Sequence, residues 1–266
     1  KILPDFSFST FEQWSAKLGL IRENQKAETV LFQTCYVQHN EPQIGKDTLE
    51  VLNKNKVDCA CVNGLKCCGM PAWEQGDLET LRNNAKHNLN ILFPFVEKGS
   101  KVLVINPTCS MMMRREYTEL LVGEDRERAK KLSESVNDPS EYLWNIRNEE
   151  RFNTDVKSLP KETISYHAPC HLRAQGIGFK GRDLIKKITG SKVKTVMECC
   201  GHDGTYAMKV ENFDASKRIG KKSFDGMKSE ESEIWATDCP LAALQFKQHA
   251  GVKPKHPMSV LAEAYR

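Results

Sequence analysis

No stretch of this chain approaches the roughly 18 consecutive apolar residues that cross a bilayer, so any membrane contact is expected to be peripheral. A secretory leader is missing as well, and Lys1 reads as the start of a processed chain or of a piece of a longer protein. Charge of one sign is not in excess. The net charge is +4, and Lys and Arg are scattered among Asp and Glu, which leaves no nucleic-acid footprint. The densest basic group, Lys217 and Arg218 with Lys221 and Lys222, reads as one solvated helix face. There are no paired catalytic carboxylates, no nucleophile elbow and no phosphate-cradling glycine loop. No Cys-x-x-Cys knuckle of the kind that builds most structural zinc sites is present.

What the chain does have is cysteine. Eight of its 10 cysteines fall into two matching sets. Cys35, Cys67, Cys68 and Cys109 form the first, and Cys170, Cys199, Cys200 and Cys239 the second. Each set runs single Cys, Cys-Cys-Gly triplet, single Cys. The offsets between sets are 135 (Cys35 to Cys170), 132 (Cys67 to Cys199) and 130 (Cys109 to Cys239), a drift that fits duplication with small loop deletions. Gly45-Lys46-Asp47 repeats in step as Gly181-Arg182-Asp183. A chain of 266 residues does not need a disulfide scaffold, and a reducing cytoplasmic setting favours metal ligation or redox chemistry at such thiols.

Each half alternates strand and helix. Apolar segments 29–32, 57–62 and 101–105 read as strands that deliver Cys35, Cys67-Cys68 and Cys109. Segments 163–166, 193–197 and 234–236 deliver Cys170, Cys199-Cys200 and Cys239. Helical patterns lie at 46–53, 78–95, 184–188, 213–227, 241–249 and 259–265. The expectation is an α/β fold of two tandem Rossmann-like domains, each a mainly parallel sheet flanked by helices. Every cysteine of the two sets then falls past the carboxyl end of a strand, the edge where open α/β sheets place their sites. The expected boundaries are an arm at 1–27 packing onto the body, a first domain at 28–122, a helical connection at 123–160 and a second domain at 161–266.

Four thiolates per site suit either tetrahedral zinc or an iron–sulfur cluster; adjacent cysteines on one loop and wide spacings suit the extended cluster better than a point ion. His167, His171 and His202 stand beside ligand cysteines and are candidates for hydrogen bonds to the cofactor sulfurs. Cys59 and Cys61 have no counterpart in the second half and read as small buried hydrophobes. The Met111-Met112-Met113 run reads as core packing, and no catalytic residue is assigned.

These residues carry a family likeness over nearly the whole chain. Cys35-Tyr36-Val37 through Pro42, Gly45-Lys46-Asp47, and Cys67-Cys68-Gly69 resemble the first domain of the cysteine-rich CCG iron–sulfur family. Tyr166-His167-Ala168-Pro169-Cys170-His171, Cys199-Cys200-Gly201 with Gly204-Thr205-Tyr206, and Thr237-Asp238-Cys239 resemble the second. That family includes the B subunit of heterodisulfide reductase and the iron–sulfur subunits of anaerobic glycerol-3-phosphate dehydrogenase and of glycolate and lactate oxidases. The resemblance implies two CCG domains related by pseudo-twofold symmetry, holding one or two clusters, [4Fe-4S] in type, with zinc at one site as the alternative. It implies electron transfer between a flavin dehydrogenase or ferredoxin-type subunit and a quinone or other acceptor, in the cytoplasm or peripherally at a membrane. The rival readings are a thiol or disulfide reductase with an open coordination position, and a zinc-stabilised docking scaffold. Met112 and Ala242 stand where the fullest family motif has a fifth cysteine, which counts against a five-cysteine noncubane cluster. An amino-terminal ferredoxin domain, which the dehydrogenase-type relatives carry, is missing from this sequence.

Overall fold

Val30, Leu31 and Phe32 are fully buried. So continuous an apolar run forms a strand covered on both faces, the signature of a parallel sheet. In the computed structural model, which describes residues 3–23, 26–157, 163–229 and 231–266, this run is the central strand of the first sheet. The boundary expected between 160 and 161 lies outside the described residues, as do parts of the arm at 1–2 and 24–25.

The chain divides into two units, Phe6–Tyr142 and Leu143–Arg266, the start of the chain up to Asp5 being grouped with the latter. In the first, β1 (Thr29–Phe32) lies between β2 (Cys59–Ala60) and β3 (Lys101–Val104), and β4 (Val136–Asn137) flanks β3. All pairings are parallel, with Thr29 facing Cys59 on one side and Lys101 on the other. In the second unit, β5 (Thr163–His167) lies between β6 (Lys192–Val196) and β7 (Ile234–Thr237), again parallel, with Ile164 facing Val193 and Ile234. Both repeats therefore run from a central strand out to one neighbour, then back across to the other. Connections leaving the sheet on opposite sides of a central strand open a crevice at the carboxyl ends, where α/β folds hold ligands.

The helix after each Cys-Cys-Gly triplet packs in the same way. Leu78–Glu97 buries Leu81, Ala85, Leu89 and Leu92, and Phe213–Ser229 buries Ser216, Gly220, Phe224 and Met227. Both follow the 4-4-3 spacing of a helix with one inward stripe. Asp77 starts the first of these helices by accepting the Thr80 N–H at 3.0 Å. Truncating one of the buried leucines removes contacts worth about 2–5 kcal/mol.

Three details depart from the sequence reading. The expected strand at 57–62 contracts to Cys59–Ala60, because β2 borders only β1. The segment expected as a connection supplies helix Gly123–Ser135 and strand β4 to the first unit. The arm packs only in part. Phe11 is buried against Gly45, where an added Cβ would come within 2.5 Å of the ring, whereas Phe6 and Phe8 are exposed. Among the described residues no helix is long and apolar enough to cross a membrane.

Candidate metal centre

The first sulfur site assembles from three loops at the carboxyl edge of the sheet. Cys35 follows β1 in helix Thr34–His39, entered through Thr34 at φ 70. A β-branched residue in the left-handed region is strained by about 1–3 kcal/mol, and this strain sits one residue before the first cysteine. Cys109 lies in helix Pro107–Met111, whose first turn is fixed by Pro107 and by the Asn106 side chain accepting the Thr108 N–H at 3.0 Å. Cys67 and Cys68 occupy the loop after β2, closed by Gly69 at φ 92.

Cys35 Sγ lies 3.9 Å from Cys67 Sγ. The Cys67 thiol, which also bonds to Cys68, is pulled down to about 3 chiefly by the Cys35 S–H donated to it. Cys35 is pushed up by the same bond, and Cys68 is pushed up chiefly by its bond to Cys109. The four sulfurs thus form a string of neighbours, 35 to 67 to 68 to 109. In the second unit Cys170 bonds to Cys199, Cys199 is pushed up, and Cys170 is lowered to about 5, first by Cys199 and then by Arg173. The Arg173 guanidinium donates to Cys170 Sγ at 3.5 Å. Cys200 is pushed up to about 12 by burial, with Cys239 and Cys170 both near enough to add to the rise. Cys35 and Cys170 are exposed, while Cys68, Cys109, Cys200 and Cys239 are buried, so each set reaches from the interior to the surface. A cavity of about 350 Å³ opens on Cys35 and Cys67, with Gln33, Gln38, His39, Lys66 and Asn84 among its walls.

Backbone N–H groups converge on these sulfurs. Gly69 donates to Cys67 Sγ at 3.5 Å and Gly201 to Cys199 Sγ at 3.3 Å. Ala242 donates to Cys239 Sγ at 3.5 Å, and the His202 N–H draws the Cys200 thiol down against burial. Four soft sulfur donors per site, ringed by N–H groups that favour negative sulfur, fit a thiolate-bound metal group. A tetrahedral thiolate shell at a metal–sulfur distance near 2.3 Å has sulfurs about 3.8 Å apart, close to the 3.9 Å of the Cys35–Cys67 pair. Yet among the described residues no group of three or more Cys, His, Asp or Glu side chains is arranged to hold a single ion.

The three histidines part company. His167 does not reach a sulfur. Its Nε2 donates to Glu198 O at 3.1 Å, and its Nδ1 accepts from Thr237 Oγ1 at 3.1 Å. Thr237 Oγ1 in turn accepts the Cys239 N–H at 3.5 Å. The ring thus ties the residue before Cys199 to the loop of Cys239, and burial lowers its pKa to about 4. His171 Nε2 lies 3.8 Å from Asp203 Oδ1, and the ring stands close enough to Cys170 to add to the lowering of that thiol. His202 is buried beside Cys200 and serves it through the backbone. Cys59 and Cys61 stay apart from the site. Burial pushes both thiols up, Cys59 to about 12.

The sequence reading missed four buried side chains behind the triplets: Asn88, Tyr117, Ser216 and Gln245. Tyr117 OH donates to Cys68 O at 3.0 Å, and Gln245 Nε2 donates to Cys200 O at 3.2 Å. They are far from the triplets in sequence and ordinary in type, so no local pattern announces them. Arg173 was missed as well, although its position three residues after Cys170, one helical turn on, was the available signal.

A family model described as a cysteine-rich domain, CCG, matches residues 29–114 and again residues 164–247. The chain belongs to the cysteine-rich CCG-domain family. Each match spans one complete set of four cysteines. This CCG chain is 30% identical over 266 residues to the C subunit of the anaerobic glycerol-3-phosphate dehydrogenase of Escherichia coli strain K12, covering 99% of this chain and 66% of that relative. The chain therefore spans just under two thirds of that relative's length. It is 29% identical over 188 residues to lactate utilization protein A 2 of Bacillus cereus strain AH820, covering 68% of this chain and 74% of the relative. A solved putative Asp/Glu racemase from Yersinia pestis aligns at 12% identity with a TM-score of 0.37 over 91% of this chain and 97% of the racemase, too distant to support an argument.

Proposed function

We propose that this CCG chain is the iron–sulfur electron-transfer subunit of a dehydrogenase. Cys35, Cys67, Cys68 and Cys109 hold one centre, and Cys170, Cys199, Cys200 and Cys239 the other. The observation that carries the reading is the double convergence: two repeats each bring four cysteines to one sheet edge, with a glycine N–H on the first sulfur of the adjacent pair. A thiolate-held cluster, [4Fe-4S] in type, supplies one-electron uptake with little rearrangement. The protein's part is to gather the sulfurs, to donate N–H bonds to them, and to leave Cys35 and Cys170 near the surface, where an electron enters or leaves. Relatives named as a dehydrogenase subunit and a lactate utilization protein support a flavin dehydrogenase or ferredoxin-type subunit as donor and a quinone or other acceptor. The location proposed with it is the cytoplasm, with peripheral association at a membrane as the alternative. Mixing the reduced flavoprotein partner with the anaerobic chain in a stopped-flow instrument bleaches the cluster absorbance on this account; no bleaching with any such donor contradicts it.

A second reading, a thiol or disulfide reductase, is favoured by the cavity that opens on Cys35 and Cys67. Its volume lies at the small end of pockets that take organic ligands. A change in the visible spectrum on adding small disulfides, lost in a chain whose cavity is blocked by Asn84→Trp, supports it over a pure relay.

A further inference from the structure

The peptide between the second cysteine and the glycine of each triplet is held from both ends. In the first unit its carbonyl, Cys68 O, accepts from Tyr117 OH at 3.0 Å, while its N–H, on Gly69, points at Cys67 Sγ at 3.5 Å. In the second unit its carbonyl, Cys200 O, accepts from Gln245 Nε2 at 3.2 Å, while the Gly201 N–H points at Cys199 Sγ at 3.3 Å. The peptide group is planar, so fixing its oxygen fixes where its N–H aims.

The support behind this peptide also repeats, with different residues. Tyr117 and Gln245 both come from the helical segment after the fourth cysteine of their set. Each is bonded to a second buried side chain from the helix after the triplet. Asn88 Nδ2 donates to Tyr117 OH at 3.4 Å, and Gln245 Nε2 donates to Ser216 Oγ at 2.9 Å. That second side chain grips a neighbouring carbonyl of the triplet, Asn88 on Cys67 O at 3.4 Å and Ser216 on Gly201 O at 2.6 Å. Asn88 also brackets Lys66, accepting its N–H at 2.8 Å and donating to its carbonyl at 3.1 Å. All four side chains are at most 1% exposed. Each pair joins one carboxamide to one hydroxyl, but the two groups trade places. The amide comes from the helix after the triplet in the first unit (Asn88) and from the helix after the last cysteine in the second (Gln245), and the same joined pair of contacts results. A contact kept while its residues differ marks the geometry, not the residue, as what the site requires.

We infer that Tyr117 with Asn88, and Gln245 with Ser216, are equivalent positioning pairs that aim the Cys–Gly peptide dipole at the first sulfur of each pair. They set that sulfur's affinity for metal and the reduction potential of the centre. The inference rests on reading the two sulfur sets as metal centres. An N–H held on a thiolate favours its charged form and tunes what it binds, and groups acting through a ligand in this way typically change metal affinity 10- to 100-fold. Loss of the grip leaves the peptide free to turn its N–H away.

The test is made on the full, metal-free, reduced chain with cobalt(II) as probe, read by its thiolate-to-cobalt absorption. A Cys199→Ser background isolates the first site and a Cys67→Ser background the second. Tyr117→Phe removes one hydroxyl and Gln245→Met removes one amide at similar volume. They lie in different units, so misfolding of one leaves the other to read. Tyr117→Phe is expected to weaken cobalt at the first site by roughly 10- to 100-fold, and Gln245→Met to do the same at the second. Thr48→Val is the control: it deletes a buried hydroxyl bond of the same kind, Thr48 Oγ1 to Ile44 O at 2.7 Å, away from the cysteine loops. The midpoint potential of the anaerobically reconstituted chain is expected to fall in the two positioning variants and to hold in the control. Unchanged affinity and potential in both variants, or an equal loss in Thr48→Val, overturns the inference while leaving the metal centres standing. A parent chain that takes up neither cobalt nor a reconstituted cluster overturns both.

Discussion

Replacing Gly201 with alanine tests whether the triplet glycine is there for its backbone or for the space it leaves. Gly201 has φ +72, and a Cβ built on it would lie 2.2 Å from Ser216 O, 3.0 Å from Ser216 C and 3.1 Å from Gly220 N. Those atoms are helix backbone and cannot swing aside. The left-handed conformation costs an L residue about 1–2 kcal/mol, and overpacking against a fixed neighbour adds about 1–3 kcal/mol, so Gly201→Ala should lose about 2–5 kcal/mol. Gly190, in the same unit at φ +70, has nothing within 4 Å of its virtual Cβ, so Gly190→Ala should lose only the conformational part, about 1–2 kcal/mol. Gly69 falls between. It has φ +92, but the atom in the way is Leu81 Cδ1 at 2.3 Å, the tip of a side chain that can change rotamer. Urea unfolding of the metal-free chain, followed by circular dichroism, measures the three losses. At roughly 4 °C per kcal/mol for a domain of this size, thermal melts should separate Gly201→Ala from Gly190→Ala by about 4–12 °C. Equal losses at the two positions would refute the close-approach argument and leave only backbone strain.

Three further outcomes follow from the site chemistry. In the metal-free chain Cys170, with its pKa near 5, should alkylate at pH 7 at a rate that no longer rises with pH; Arg173→Gln should slow it at pH 6, and Cys59, raised to about 12, should react only on unfolding, as peptide mapping after iodoacetamide will read. His167 is lowered to about 4 by burial, so the native state binds fewer protons than the unfolded chain between pH 6.5 and 4, and its contribution is lost as pH falls through that window. Asp238 is raised to about 6, also chiefly by burial, and has the opposite sign: its contribution is present at low pH and is lost as pH rises from about 4 to 6. The two therefore offset each other, and Asp238→Asn should turn a flat stability profile between pH 4 and 6 into one that falls steadily with acidification; a profile no steeper than the parent's contradicts the pairing. Cys68→Ser should cost the chain one of its two centres by iron analysis, whereas Cys59→Ser should leave iron content unchanged.

The strands that carry the cysteines were legible because a parallel sheet buries both faces and writes itself as unbroken apolar runs; 29–32 emerged with the bounds that β1 has. The duplication was legible because cysteine spacing survives where other residues drift. Strand β4 was not, since Val136–Asn137 is two residues long and pairs only with β3. Nor was the strain at Thr34, because nothing in a threonine signals a left-handed backbone. His167 shows the limit most clearly. Adjacency to Cys170 invited a sulfur contact, but in an extended strand successive side chains point to opposite faces, and the ring turns to Thr237 and Glu198 O instead. The positioning pairs Asn88–Tyr117 and Ser216–Gln245 lie on helices where each residue, taken alone, reads as an ordinary core polar group.

The measurement that bears most directly on the central claim is iron, acid-labile sulfide and zinc content, with electron paramagnetic resonance, on chain isolated without oxygen. The account predicts iron and sulfide together, with a resonance on reduction or oxidation that Cys35→Ser and Cys170→Ser each diminish in part. A colourless chain carrying two equivalents of zinc and no sulfide would contradict it and leave the scaffold reading in its place.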